Sequence, residues 1–158
     1  MHSPKRVIVT GASRGIGRAL VDAFQNLGHE VWALSRNIDE LKHIMGIHAV
    51  SIDLSDEQQI SDWVGSCGVD HFDVLINNAG MLINKPFSVT TSEDFEAVYR
   101  VNVFGAAQLI RHLLPLLSTS SHILNISSMG GINGSAKFPG LAAYSSSKGA
   151  LGILTELL

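Results

Sequence analysis

The sequence predicts an α/β fold built on a doubly wound parallel sheet, and three observations carry that reading. Short β-branched runs such as Val7-Ile8-Val9 and Val74-Leu75-Ile76 are apolar without alternation, as strands buried on both faces require. Longer stretches with helical spacing separate these runs, so the strands are joined by crossovers and lie parallel. A glycine-rich turn, Gly11 to Gly17, follows the first run and opens the first helical stretch. Right-handed crossovers then give the strand order 3-2-1-4-5.

Taken in chain order, Arg6 to Val9 is the first strand and Gly15 to Leu27 the first helix, with Gly28 placed to end it. His29 to Leu34 is the second strand. Ile38 to Met45 is expected as a short helix closed by Gly46, and His48 to Ile52 as the third strand. Asp56 is an N-cap for a helix running to Ser66. Phe72 to Ile76 is the fourth strand. After a loop with Pro86, Thr91 or Ser92 caps one long helix that carries Asn102 and ends near Pro115 to Leu117; Glu93 and Asp94 suit its positive end. His122 to Ser127 is the fifth strand, and Ala142 to Leu158 a final helix. No linker divides the chain, so residues 1–158 are read as one domain with that helix at its C-terminal end.

Composition narrows the function classes. At 158 residues the chain can bury roughly 70% of its unfolded surface, and 46% apolar against 16% charged residues is a globular balance. A net charge of -3 with no basic cluster argues against nucleic acid and against an anionic membrane surface. Cys67 is the single cysteine, which fits a reducing compartment and a packing role. Lys5 and Arg6 precede too short an apolar run for a signal segment, so a soluble cytoplasmic protein is expected. His43 and His48 have no Cys/His cluster around them, and no metal site is expected.

The turn reads Thr10-Gly11-Ala12-Ser13-Arg14-Gly15-Ile16-Gly17, a Gly-x3-Gly-x-Gly variant of the dinucleotide fingerprint. Glycines there allow a tight turn and close approach of backbone to a pyrophosphate, and the helix N-terminus supplies free N–H groups. A structural βα turn is the plain alternative. The end of the second strand, Leu34-Ser35-Arg36-Asn37, lacks the acid that holds a ribose diol in NAD sites. Arg36, Ser35 and Arg14 instead suit a 2′-phosphate, so NADP is the expected cofactor. Asp53, followed by Leu54, is placed either to accept from an adenine amino group or simply to open the next helix.

Tyr144 and Lys148 lie one helical turn apart on one face. A free tyrosine has a pKa of about 10, and a neighbouring ammonium favours the phenolate that acid–base work needs. Ser128 ends the fifth strand, where a parallel sheet presents ligand groups. Asn102 stands among apolar neighbours in a helix, a costly choice unless its amide is satisfied.

Together, the glycine turn, Asn77-Asn78-Ala79-Gly80, Asn102, Ser128 and Tyr144-x3-Lys148 resemble the short-chain dehydrogenase/reductase family from Val7 to the last residue. The resemblance implies a Rossmann fold and hydride transfer between NADP(H) and a carbonyl or secondary alcohol. It implies Tyr144 as general acid/base, Lys148 on the nicotinamide ribose, Ser128 orienting the carbonyl (with Ser127 as its rival) and Asn102 in a proton relay. Gly11, Ser13, Arg14, Gly15, Ile16, Gly17, Ser35, Arg36, Asp53, Leu54, Asn78, Ala79, Gly80, Tyr144 and Lys148 become the expected cofactor contacts.

Members of that family are usually longer. By that resemblance the chain stops inside the helix of Tyr144, lacks the last strands and part of the substrate pocket, and is a fragment or truncated form. The apolar run Leu151 to Leu158 is then expected to be exposed. A homodimer or homotetramer is the family expectation for a full-length protein. The segment from Ser128 to Tyr144 is longer than usual and is expected to flank the substrate. Two other readings stand beside the enzyme: a non-catalytic NADP-binding module, and a sugar-nucleotide epimerase or dehydratase, whose turn usually has another glycine spacing.

Overall fold

The structure, a computed structural model, describes residues 3–158. Its strands are β1 (Arg6–Thr10), β2 (Glu30–Ser35), β3 (Ile47–Ser51), β4 (Val74–Asn77) and β5 (His122–Asn125). Its helices are α1 (Gly15–Asn26), α2 (Glu57–Ser66), α3 (Ser92–Tyr99), α4 (Ala106–Leu113) and α5 (Ala142–Leu157). The five strands form one parallel sheet in the order β3-β2-β1-β4-β5, as the crossover argument requires.

Period-2 alternation sends neighbouring strand residues to opposite faces. Ile8, Trp32, Leu34 and Leu75 point to one face, under Ile60 of α2 and Leu109, Ile110 and Leu113 of α4. Val7, Val9, Val31, Ala33 and Ile76 point to the other, under Val21 of α1. Both faces are therefore core, and this is why the strands read as continuous apolar runs. The pairings Thr10–Leu34 and Asn77–Asn125 bring the carboxyl ends of β1, β2, β4 and β5 to one edge.

Local signals hold at several ends. Asp56 accepts from the N–H groups of Gln58 and Gln59 at the start of α2. Thr91 and Asp94 form a reciprocal capping box on α3. Gly28 follows α1 with φ 80° and donates its N–H to Gln25.

Four expectations need correction. Ile38 to Met45 is a chain of turns, not a helix: Lys42 N–H reaches Ile38 O, but the Leu41 and Ile44 N–H groups reach back only three residues, around buried Leu41. The long helix through Asn102 is interrupted, because Arg100–Gly105 is π-helical between α3 and α4. Gly105 lets that segment lie against Leu54, since a Cβ there would stand 2.5 Å from the Leu54 carbonyl oxygen. β5 ends at Asn125, two residues before Ser127, because the chain turns away to pack on α5. The apolar tail is only partly exposed: Leu151 is buried against the body, whereas Ile153, Leu157 and Leu158 face outward.

Candidate functional site

The ends of β1 and β4 are knitted together before any ligand is considered. Thr10, fully buried, accepts the N–H groups of Asn78 and Ala79 at 3.0 Å each on its Oγ1. Asn78 Nδ2 returns a bond to the Thr10 carbonyl at 2.9 Å. This exchange holds the Asn77-Asn78-Ala79-Gly80 run against the glycine turn. Gly11 needs to be glycine twice over: its φ is 65°, and a Cβ would lie 2.8 Å from Ala79 Cα. Gly17 is buried beneath the turn, where a Cβ would lie 2.2 Å from the Gly11 carbonyl oxygen. Gly17 is thus a packing residue for the helix–strand contact rather than a lining residue. Arg14 takes the capping position of α1 without a side-chain capping bond, so first-turn N–H groups remain for a ligand.

At the carboxyl edge of the sheet lies an open cleft of about 960 Å³. It is lined by every expected cofactor contact except Gly17, Tyr144 and Lys148: Gly11, Ser13, Arg14, Gly15, Ile16, Ser35, Arg36, Asp53, Leu54, Asn78, Ala79 and Gly80. Sequence reasoning missed Leu34, Asn37, Asp39, Glu40, Ile52, Met81 and Leu82, at or just after the ends of β2, β3 and β4, and Val101 on the π-helical segment. Among the described residues, the guanidinium groups of Arg14 and Arg36 have no hydrogen-bond or ion-pair partner. The acids nearby are differently placed. Asp39 pairs with Lys42 at 3.1 Å, and Asp53 Oδ1 already accepts the Ser55 N–H and hydroxyl at 2.9 and 2.8 Å. Glu40 lines the cleft on the turn beyond Arg36.

The cleft's Gly80 end meets the polar cluster of α5. A Cβ at Gly80 would lie 3.6 Å from both Lys148 Nζ and Asn102 Oδ1. Lys148 is 3% exposed and donates to the Ile126 carbonyl at 2.6 Å; burial pushes its ammonium below the usual lysine range. Lys148 Nζ sits 5.9 Å from the centre of the Tyr144 ring. Asn102 is equally buried, and its amide is satisfied: Oδ1 accepts the Met81 N–H at 2.7 Å, and Nδ2 donates to Met81 O and to Ser147 Oγ. Ser147, fully buried and missed from the sequence, donates in turn to the Tyr144 carbonyl at 2.7 Å. Asn102 therefore joins the loop after β4 to the turn of α5 that bears Tyr144. It sits in a π-helical segment, a rare geometry that recurs at functional sites.

The two serines separate cleanly. Ser127 Oγ donates to the Lys148 carbonyl at 3.0 Å, which commits its proton to the backbone. Ser128 Oγ accepts the Gly130 N–H at 3.2 Å and keeps its own proton for another acceptor. Gly130 and Gly131 let this loop lie on α5: a Cβ would stand 2.6 Å from Ser145 Oγ at the first and 2.6 Å from the Lys148 carbonyl carbon at the second. The long segment that follows folds back on itself through Lys137 and Ser135, and Gly140 O accepts the Lys85 N–H at 3.0 Å.

Residues 5–158 match the short chain dehydrogenase family. The chain belongs to that family. It is 37% identical over 158 residues to carbonyl reductase (NADPH) 2 of Sus scrofa, covering 96% of this chain and 63% of the relative. It is 34% identical to the L-xylulose reductase of Homo sapiens over 161 residues, 98% of this chain and 64% of that one. Among solved structures, the NADPH-bound carbonyl reductase from chicken fatty liver superposes with a TM-score of 0.89 at 28% identity, over 98% of this chain and 72% of the other. A short-chain dehydrogenase from Streptomyces avermitilis gives 0.85 at 36% identity, over 99% and 60%. A 4-hydroxyisoleucine dehydrogenase complexed with NADH gives 0.85 at 29% identity, so both dinucleotides occur among these short-chain relatives. The chain spans about 60% of the length of such relatives. No helix among the described residues is long and apolar enough to cross a membrane.

Proposed function

We propose that this chain carries the dinucleotide site and proton-transfer group of an oxidoreductase acting between NADP(H) and a carbonyl or secondary alcohol. The observation that carries the cofactor choice is the pair of unpartnered guanidinium groups, Arg14 and Arg36, on one cleft beside Ser35. Charge-assisted bonds from guanidinium groups to a 2′-phosphate are worth about 1.5–3 kcal/mol each. The cradle also fits a pyrophosphate: Gly15 has open space around it, and the α1 N-terminus is uncapped by any side chain.

When bound, the nicotinamide supplies the hydride chemistry. The chain's own residues do the rest. Lys148, buried behind Gly80 next to the cleft, would hold a ribose and places its ammonium near Tyr144. Tyr144 exchanges the proton with the substrate oxygen, and Ser128 donates to that oxygen as charge develops on it. Asn102 and Ser147 hold the α5 turn in place, which supports a positioning role for Asn102 in addition to any relay. Met129, Phe138 and the rest of the segment before α5 flank the substrate side, and a small-molecule substrate suits the family. A homo-oligomer is part of the same proposal for the whole protein.

The cofactor choice is tested by titrating the protein with NADPH and NADH, followed by fluorescence. NADPH is expected to bind tenfold or more tighter, from about one charged pair. Arg36→Asp is expected to abolish or reverse that preference. Equal affinities in the unmodified protein, or an Arg36→Asp variant that keeps the preference, would sink the NADP reading.

A further inference from the structure

Among the described residues, every lysine and arginine except three is held by the protein itself. Lys5, Arg6, Arg18, Lys42, Lys85 and Arg111 pair with acids. Lys137 and Lys148 donate to backbone carbonyls. Among the described residues only Arg14, Arg36 and Arg100 have guanidinium groups with no partner. Side chains left unpaired in a chain that pairs its other cations are poised for something else, and the position of these three is not scattered.

Arg14 and Arg36 line the main cleft. Arg36 also lines a smaller annex of about 320 Å³, and Arg100 stands in that annex with it. Arg36, Met81 and Val101 are walls of both spaces, so the annex is an extension of the cleft. Ser55 lines it too, directly after the Asp53-Leu54 run assigned above to the base of the dinucleotide. Arg100 is the first residue of the π-helical segment, two residues before Asn102, so the same local distortion aims both side chains.

The annex differs in charge from the main cleft. Glu93 and Glu96 of α3 face it beside Arg36 and Arg100, which offsets its positive potential. An anion is better held at the Arg14 side, away from these carboxylates. A neutral heteroaromatic group that both donates and accepts hydrogen bonds, and has a face for a guanidinium, suits a wall of mixed sign. We infer that Arg100 is a third cofactor-side cation, one that meets the base of an adenine dinucleotide and not its 2′-phosphate, and that it raises affinity for NADPH and NADH alike. This rests on the dinucleotide reading above.

The test is a set of titrations with NADPH, NADH, ADP-ribose and nicotinamide mononucleotide, on the unmodified protein and on Arg100→Ala and Arg100→Gln. Arg111→Ala, at a surface cation that lines neither space and pairs with Glu57, is the control. Arg100 is exposed, and matching thermal melts show that each variant is folded. Both Arg100 variants are expected to weaken NADPH, NADH and ADP-ribose by a common factor of about three to ten, with the mononucleotide unchanged. Unchanged affinities in both variants overturn the inference. A loss confined to NADPH also overturns it, because it moves Arg100 to the phosphate. An unmodified protein that binds neither NADPH nor ADP-ribose overturns the dinucleotide reading itself, which is a separate result.

Discussion

At the scale of single residues, the chemistry of this chain turns on which polar atoms are already committed. Ser127 donates its hydroxyl hydrogen bond to the Lys148 carbonyl, and Asn102 has satisfied its amide with Met81 and Ser147. Among the described residues, the Ser128 hydroxyl proton and the hydroxyl of the half-buried Tyr144 have no such commitment. Tyr144→Phe removes one oxygen and little packing. It is expected to cost about a hundredfold or more in carbonyl reduction while NADPH affinity stays within about twofold. An assay of turnover beside the binding titration checks this. A protein that binds NADPH but reduces no carbonyl before mutation supports the non-catalytic module instead. The identity of these side chains was legible in the sequence. Their commitments were not, because a hydrogen bond between residues distant in the chain, such as Asn102 to Ser147, leaves no spacing signal.

At the scale of elements, the glycines divide by what surrounds them. Gly17 packs α1 onto the end of β1, and a methyl there meets backbone at 2.2 Å. Gly17→Ala is therefore expected to destabilise the protein by about 1–3 kcal/mol and to weaken NADPH, since relief must move the turn. Gly65, near the end of α2, has nothing within 4 Å of a would-be Cβ and no positive φ. Gly65→Ala is expected to be neutral or to stabilise by about 0.5–1 kcal/mol. Denaturant melts of the two variants check the contrast, and equal losses would contradict it. Caps and strands were readable from local chemistry: Asp56, Thr91 and Gly28 act where their side chains or φ preference direct. The π-helical segment was not, because one residue of altered register barely disturbs an apolar periodicity, whereas the aim of Asn102 depends on it.

At the scale of the whole molecule, hydrogen-bonded and ion-paired carboxylates, Asp73 at the amino edge of the sheet and Asp94 on α3, set a pH dependence. The Arg6 N–H, donating at 2.7 Å, holds the Asp73 carboxyl below its usual range, with Lys5 and His71 adding to it. The Lys85 ammonium does the same for Asp94. Carboxyls depressed in the folded state stabilise it above their unfolded pKa, and this is lost as pH falls through the folded value. Lys148 acts with the opposite burden: its depressed ammonium weighs against folding at neutral pH, and the weight lifts as pH rises past its folded value towards that of a free lysine. The melting temperature is thus expected to fall between about pH 5 and pH 2, and Asp73→Asn to lower it at pH 7 and flatten that fall. A flat profile for the unmodified protein over that range would contradict the assignment.

The sequence by itself determined the fold class, the strand order, the glycine turn and the family, because each depends on local pattern: burial periodicity, turn chemistry and motif spacing. Tertiary structure alone decided that Gly17 packs and does not line, that Ile38 to Met45 stays in turns around Leu41, and that Ser128 rather than Ser127 keeps a free proton. It alone placed Arg100 beside Arg36. These depend on which atoms meet across the folded chain, and such meetings are fixed by packing in three dimensions, not by neighbours in sequence.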